Sequence, residues 1–308
     1  MSHNDHTSPL VSVVIPAYKA RNYLEDALQS VSRQGYEKLE IIVVDDASPE
    51  PIDDIIKRYR ELPKALPLNL IRHDKNQGIA AVRNTGIRAA RGEYIALLDH
   101  DDLWKPDHVS DIVTGILETD SDIGFCSAMV FTGSPENWSS LWGPPNGVLG
   151  DNLALELFHA SYVTPSSSVI KKSLLLEMNG FCEEPEFNAC EDLDLWLRMA
   201  QRHAKFSYSK KPTVFYRNHS EQATTKTAYM ACQAAYVRQS HLDKIPGPWF
   251  EKRSLIAASW WSAFNLTRKS GEFRFSLLRN VIVSHLFVPW QGFRIIFKIF
   301  GRRIFRHK

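Results

Sequence analysis

The sequence predicts an α/β protein: a mostly parallel sheet flanked by helices, followed by a helical C-terminal extension. Three observations carry this. From Leu10 to Phe131, short apolar runs alternate with segments whose apolar residues recur at helical spacing. That is the pattern of strand–helix–strand units with right-handed crossovers. Two of the apolar runs stop abruptly in acids, at Asp45-Asp46 and at Asp99-His100-Asp101-Asp102. Open α/β sheets present such strand ends to ligands. From about Gln222 the pattern is helical, interrupted at Pro246 and Pro248. The expected organisation is a flexible N-terminus (1–9), an α/β domain (10–221) and a helical extension (222–308), with a basic amphipathic tail from about 272.

Composition sets wide bounds. With 44% hydrophobic and 23% charged residues in 308, the chain is an ordinary globular protein. The net charge of +2 says little, because no acid follows Glu272. Cys126, Cys182, Cys190 and Cys232 have no CxxC spacing and fit a reducing compartment better than a disulfide framework or zinc site. The first nine residues are polar, so no secretory signal is expected. No run reaches the ~18 apolar residues of a spanning helix, and no nucleic-acid partner is expected.

Leu10 to Ile15 reads as the first strand, stopped by Pro16. Asn22 and Glu25 resemble a capping box ahead of a helix with Tyr23, Leu24, Ala27, Leu28 and Val31 on one face, ended by Gly35. Leu39 to Val44 is a β-branched second strand. Pro51 opens a helix with Ile52, Ile55, Ile56 and Tyr59 inward. Leu68 to Arg72 is a third strand, and Gly78 to Ala90 a helix carrying Arg83, Asn84 and Arg88, stopped by Gly92. Tyr94 to Leu98 is the strand that runs into the acids. Pro106 starts a helix to about Leu117, and Ile123 to Phe131 is another strand. Thr132 to Gly150, rich in glycine and proline, reads as a loop of the kind that forms lids or binding surfaces. A short helix (Asp151 to His159), a strand (Ser166 to Ile170) and a helix (Ser173 to Asn179) closed by Gly180 follow. Glu191 and Asp192 open a helix with the stripe Leu193, Trp196, Leu197 and Ala200. Lys205 to Ser209 and Thr213 to Tyr216 suggest a hairpin across Lys210-Lys211-Pro212.

The acids carry the chemistry. Asp99 and Asp101, two apart after a buried strand, start on the same side. Two hard carboxylates suit Mg2+ or Mn2+, ions that keep open positions for substrate phosphates. Each acid taken singly could instead cap a helix or make a turn.

Five stretches in order resemble family 2 glycosyltransferases: Ser12-Val13-Val14-Ile15-Pro16-Ala17-Tyr18; Glu40 to Ser48 around Asp45-Asp46; Asn76 to Gly86 around Arg83-Asn84; Gly92 to Asp102; and Glu191-Asp192 leading to Arg198. The resemblance covers roughly residues 10 to 220. It implies the nucleotide-diphospho-sugar transferase (GT-A, Rossmann-like) fold, with 10–221 as the catalytic domain. It implies an inverting, metal-dependent transfer of a sugar from a UDP or dTDP donor to a hydroxyl of a saccharide or lipid-linked acceptor, in cell-surface polysaccharide synthesis. Pro16, Ala17 and Tyr18 would line the nucleotide pocket. Asp46 would accept the imide N–H of uracil or thymine, with Asp45 beside it. Arg83 would sit against base or diphosphate. Asp99 would approach ribose and metal, Asp101 would be the main ligand to Mg2+ or Mn2+, and His219 a further metal ligand or a diphosphate contact. Asp192 would be the catalytic base.

Three other readings compete. A sugar-1-phosphate nucleotidyltransferase wants a glycine-rich loop near the amino terminus, and residues 12–22 hold no glycine. A response-regulator receiver is shorter and lacks the later acids. An inactive sugar-nucleotide-binding or scaffold protein on the same fold is opposed only by the complete acid set. The sugar and acceptor would be read by 132–150 and 155–190, for which the sequence offers no code. In the tail, Phe293, Ile296, Phe297, Phe300 and Ile304 fall on one helical face, with Arg294, Lys298 and Arg302 elsewhere. Such a helix suits an anionic membrane surface, the alternative being that it packs on the catalytic domain or a partner subunit; the expected location is cytoplasmic, peripheral on the inner face of the membrane.

Overall fold

The first strand, β1 (Val11–Ala17), is buried along its whole length, as a parallel strand covered on both faces requires, and its one polar side chain, Ser12, donates to Glu40 at 2.6 Å. The structure is a computed structural model that describes residues 8–144, 147, 149–222, 225, 227–270 and 275–285. After β1 come α1 (Leu24–Ser32), β2 (Leu39–Asp45), α2 (Asp53–Arg60), β3 (Leu68–Arg72), α3 (Ile79–Ala89) and β4 (Tyr94–Leu97). A two-residue strand β5 (Leu103–Trp104), α4 (His108–Thr119), β6 (Ile123–Phe131) and β7 (Trp138–Trp142) follow. The rest is α5 (Leu153–His159), β8 (Ser168–Lys171), α6 (Lys172–Glu177), α7 (Glu191–Gln201), β9 (Phe206–Arg217), α8 (Thr227–His241), α9 (Trp249–Ser270) and α10 (Phe275–His285).

Two compact units divide these elements. The first comprises the described residues of Met1–Leu149, Tyr162–Glu183 and Arg198–His219; the second those of Gly150–Ser161, Glu184–Leu197 and Ser220–Lys308.

In the first unit the strands form one sheet in the order β3-β2-β1-β4-β8-β6-β9-β5, with β7 on β6. The run β3-β2-β1-β4 is parallel throughout, with Ala17 opposite Asp45 and Val14 opposite Leu97. Beyond β4 the sheet is mixed: β8 is antiparallel to both β4 and β6, and β9 runs parallel to β6. The predicted α/β class, with helices on the sheet, is the class observed. Leu24, Ala27, Leu28 and Val31 of α1 and Ile52, Ile55, Ile56 and Tyr59 at α2 join the core that covers one face. Gly86 lets α3 approach β1 closely, since a Cβ there would lie 2.3 Å from Val14 Cγ1.

The structure differs from the sequence reading in three places. No capping box forms at Asn22: Ala20–Asn22 is a 3-10 turn, and α1 starts at Leu24 with no side-chain cap bond. The predicted hairpin at 205–216 is instead one strand, β9. Both its halves pair in parallel with β6, and the ladder shifts between Cys126/Ser209 and Ala128/Val214. Lys210-Lys211-Pro212-Thr213 is therefore a bulge, where a proline without an N–H is tolerated. Part of the 132–150 loop is strand: β7 pairs antiparallel with β6 and exposes Trp138, Leu141 and Trp142.

In the second unit Arg238 of α8 donates to the carbonyls of Phe158 and His159, His241 pairs with Asp194 at 2.8 Å, and Trp260 of α9 donates to Gln239. None of the four cysteines is in a disulfide. No described helix is long and apolar enough to cross a membrane. Of the predicted basic tail only part is described, through α10; the amphipathic face from Gln291 on lies outside the described residues.

Candidate active site

The carboxyl ends of β1, β2 and β4 lie side by side because those strands are neighbours in register. Asp46 N–H donates to the Ala17 carbonyl at 2.8 Å, and Leu98 N–H to that of Val14 at 3.1 Å. His100 Nδ1 lies 3.1 Å from the Pro16 carbonyl. Pro16 and Ala17 are thus buried, and their carbonyls meet His100 and Asp46. Tyr18, just beyond, keeps 41% of its surface exposed.

Both acids at the carboxyl end of β2 are buried and engaged. Asp45 accepts Ser48 N–H at 3.0 Å and pairs with Arg72 Nε at 2.8 Å. Asp46 accepts the N–H groups of Gln77 and Gly78, each at 2.8 Å, and meets His73 Nδ1 at 2.8 Å. Gly78 caps α3 at φ 88°, a conformation that favours glycine. Asp46 therefore sets where α3 begins. Three contacts on its carboxylate leave about one of the four acceptor positions such a group offers.

The acids after β4 sit on a turn rather than a continued strand. β4 ends at Leu97, and Asp102 N–H closes the turn onto the Asp99 carbonyl at 3.1 Å. Strand alternation does not reach Asp99 and Asp101, and they take different partners. Asp99 pairs with Arg83 of α3 at 2.7 Å. The Arg83 guanidinium also lies 5.2 Å from the centre of the Phe181 ring. Asp101 Oδ2 lies 2.9 Å from His219 Nε2. The His219 ring packs 4.8 Å from that of Tyr23, which also carries the Arg217 guanidinium at 4.7 Å. Asp102 is buried beneath, and burial, together with the charges of Asp101 and Asp99, pushes its carboxyl well above the usual carboxylate range.

A divalent ion fits the Asp101–His219 pair on donor chemistry. Neighbouring ligands of an octahedral ion with bonds of about 2.1 Å stand roughly 3.0 Å apart, close to the 2.9 Å between these two atoms. Asp99 stands apart with Arg83. Among the described residues no group of three or more His, Cys, Asp or Glu is gathered to hold a metal. Such a pair holds an ion well only when substrate oxygens complete the shell, as is usual for Mg2+.

Asp192 belongs to the second unit. It is half-buried in the first turn of α7 with Glu191 and Asp194, and its Oδ1 accepts Leu193 N–H at 2.7 Å. In the first unit, Arg198 donates to the carbonyls of Met178 and Gly180, each at 2.8 Å.

Sequence reasoning missed His73, Ser166, Arg217 and Tyr23. His73 directly follows β3, so the strand-end rule applied to β2 and β4 also finds it. Ser166, Arg217 and Tyr23 carry no local signal.

The profile of the family described as glycosyl transferase family 2 matches residues 12–178, more than half of the chain. TuaG of Bacillus subtilis (strain 168), a glycosyltransferase assigned provisionally to teichuronic acid biosynthesis, is 28% identical over 204 residues, covering 63% of this chain and 73% of TuaG. Among solved structures, S. aureus TarS 1-349 in complex with UDP-GlcNAc superimposes with a TM-score of 0.66 at 19% identity, covering 89% of this chain and 79% of that one. The mannosyltransferase PcManGT of Pyrobaculum calidifontis, in complex with GDP-Man and Mn2+, gives 0.64 at 17% identity, covering 98% and 89%. At these identities the two structures establish the GT-A fold.

Proposed function

Because this chain belongs to glycosyl transferase family 2, we propose that it moves a sugar, with inversion, from a uridine or thymidine diphosphate donor to a hydroxyl of a saccharide or lipid-linked acceptor, in cell-surface polysaccharide synthesis. The observation that carries the reading is the Asp101–His219 pair, 2.9 Å apart beyond the carboxyl end of β4. Asp101 and His219 would hold Mg2+ or Mn2+. That ion, when bound, offsets the charge of the departing nucleoside diphosphate.

The chain's own residues do the rest. Tyr18, exposed beyond Pro16 and Ala17, stacks on the base. Asp46, with Asp45 beside it, gives its remaining acceptor position to the imide N–H. Arg83 holds Asp99 toward the ribose. Asp192 takes the proton of the acceptor hydroxyl as that oxygen attacks the anomeric carbon opposite the leaving group, so the configuration inverts. A carboxylate in the first turn of a helix is favoured in its ionised form, as a base requires. The basic tail from about 272 brings the enzyme to an anionic membrane surface where a lipid-linked acceptor resides.

Donor choice supplies a test that needs no acceptor. TarS was solved with UDP-GlcNAc and PcManGT with GDP-Man, so this fold does not by itself dictate the base. Uracil and thymine offer Asp46 an N3–H where cytosine offers a lone pair. A hydrogen bond to a charged group is worth about 1.5–3 kcal/mol, roughly tenfold or more in affinity. Calorimetry with UDP, dTDP, CDP and GDP is expected to rank UDP or dTDP first, and above CDP by that margin. Tighter binding of CDP or GDP overturns the assignment.

A further inference from the structure

Asp102 is only 1% exposed, while the side chains of Asp99 and Asp101 keep 25% and 14% of their surface. Burying a carboxylate beside two others is costly, and an apolar residue there avoids that cost. What the carboxylate contributes is seen in its partners. Oδ2 accepts from Ser166 Oγ at 2.6 Å, and Oδ1 accepts the backbone N–H of Arg217 at 2.9 Å.

Each partner leads to a residue of the candidate site. Ser166 Oγ accepts the backbone N–H of Asp99 at 3.0 Å, which fixes one end of the acid turn. Ser166 is itself steadied by Trp104, whose indole N–H donates to its carbonyl at 2.7 Å. On the other side, the β5–β9 ladder pairs Leu103 with Phe215. Two residues further along β9, an Asp102 side-chain oxygen takes the Arg217 N–H in place of a backbone carbonyl. Arg217 Nε then donates to the Asp101 carbonyl at 2.7 Å, and His219 lies two residues beyond.

We infer that Asp102 is a positioning residue: through Ser166 and the Arg217 backbone it fixes Asp99, Asp101 and His219 in one arrangement before donor or ion arrives. The inference rests on the metal-dependent reading above. It assigns Asp102 no contact with substrate or ion. Partners that orient ligands in this way typically contribute 10–100-fold to metal affinity.

The test is Mn2+ binding in the presence of UDP, followed by the electron paramagnetic resonance signal of free Mn2+, on wild type, Asp102→Ala, Asp102→Asn and Ser166→Ala. Melting temperatures are recorded in parallel. Asp102→Ala is expected to weaken Mn2+ roughly 10–100-fold. Asp102→Asn, which keeps an oxygen for Arg217 N–H, and Ser166→Ala, which removes the hydroxyl joining Asp102 to the Asp99 N–H but keeps the Asp102–Arg217 link, should fall between it and wild type. If Asp102→Ala does not fold, the other two decide by the same measure. Variants that bind Mn2+ within about twofold of wild type, whatever their melting temperatures, overturn the inference. A wild type that binds no Mn2+ with UDP overturns the metal reading itself, and this inference with it.

Discussion

Asp101→Ala is expected to lower glycosyl transfer roughly 10²–10⁴-fold, because the charge stabilisation an ion gives a leaving diphosphate is worth several kcal/mol and each 1.36 kcal/mol is tenfold. The fold should survive. The Asp101 side chain makes one described contact, to His219 at 2.9 Å, and the hydrogen bond from Arg217 is to the main-chain carbonyl, which alanine keeps. Circular dichroism and a melting temperature near wild type, beside lost activity across a Mn2+ titration, are the expected outcome. Asp101→Asn, which keeps the shape and loses the charge, should lie close to Asp101→Ala, since a hard divalent ion prefers a charged oxygen. Full activity of Asp101→Ala contradicts the role.

Asp192→Asn is expected to cost about 10²–10⁴ in kcat, the usual contribution of a positioned general base, and to leave donor affinity unchanged. The amide is isosteric and retains an oxygen for the Leu193 N–H, so the first turn of α7 keeps its bond. What it loses is basicity. An inverting transfer has one proton to remove and needs no carboxylate nucleophile. Stopped-time assays beside UDP calorimetry separate the two effects. Near-normal turnover refutes the assignment, and a parallel loss of donor affinity makes Asp192 a binding residue instead.

Much of the fold was legible because local and long-range preferences agree. β3 and β6 begin and end where the sequence places them. Lys210-Lys211-Pro212 misleads because a basic pair and a proline look like a turn, while the pairing partner that straightens the chain is β6, more than eighty residues earlier. β7 was hidden because Trp138-Ser139-Ser140-Leu141-Trp142 sits among glycines and prolines, and only its register on β6 makes it a strand.

The candidate site divides in the same way. Asp45, Asp46, Asp99 and Asp101 are visible because acids directly after apolar runs are conspicuous. The partners that hold them are not: Ser166 meets Asp102 across 64 positions and Arg217 meets it across 115. Neither residue type is unusual where it stands, and topology alone brings them together. The strand-end rule placed Asp99 and Asp101 as a pair on one side. The turn that follows Leu97 separates their partners instead, giving Asp99 to Arg83 and Asp101 to His219.

The most direct measurement is release of nucleoside diphosphate by the full chain from a panel of UDP-, dTDP-, GDP- and CDP-linked sugars, with Mn2+ and with excess chelator. Metal-dependent transfer from a uridine or thymidine donor predicts release from at least one UDP or dTDP sugar, faster when a saccharide acceptor is added and lost in chelator. Folded protein that releases nucleotide from none of the panel, or at an equal rate in chelator, contradicts it.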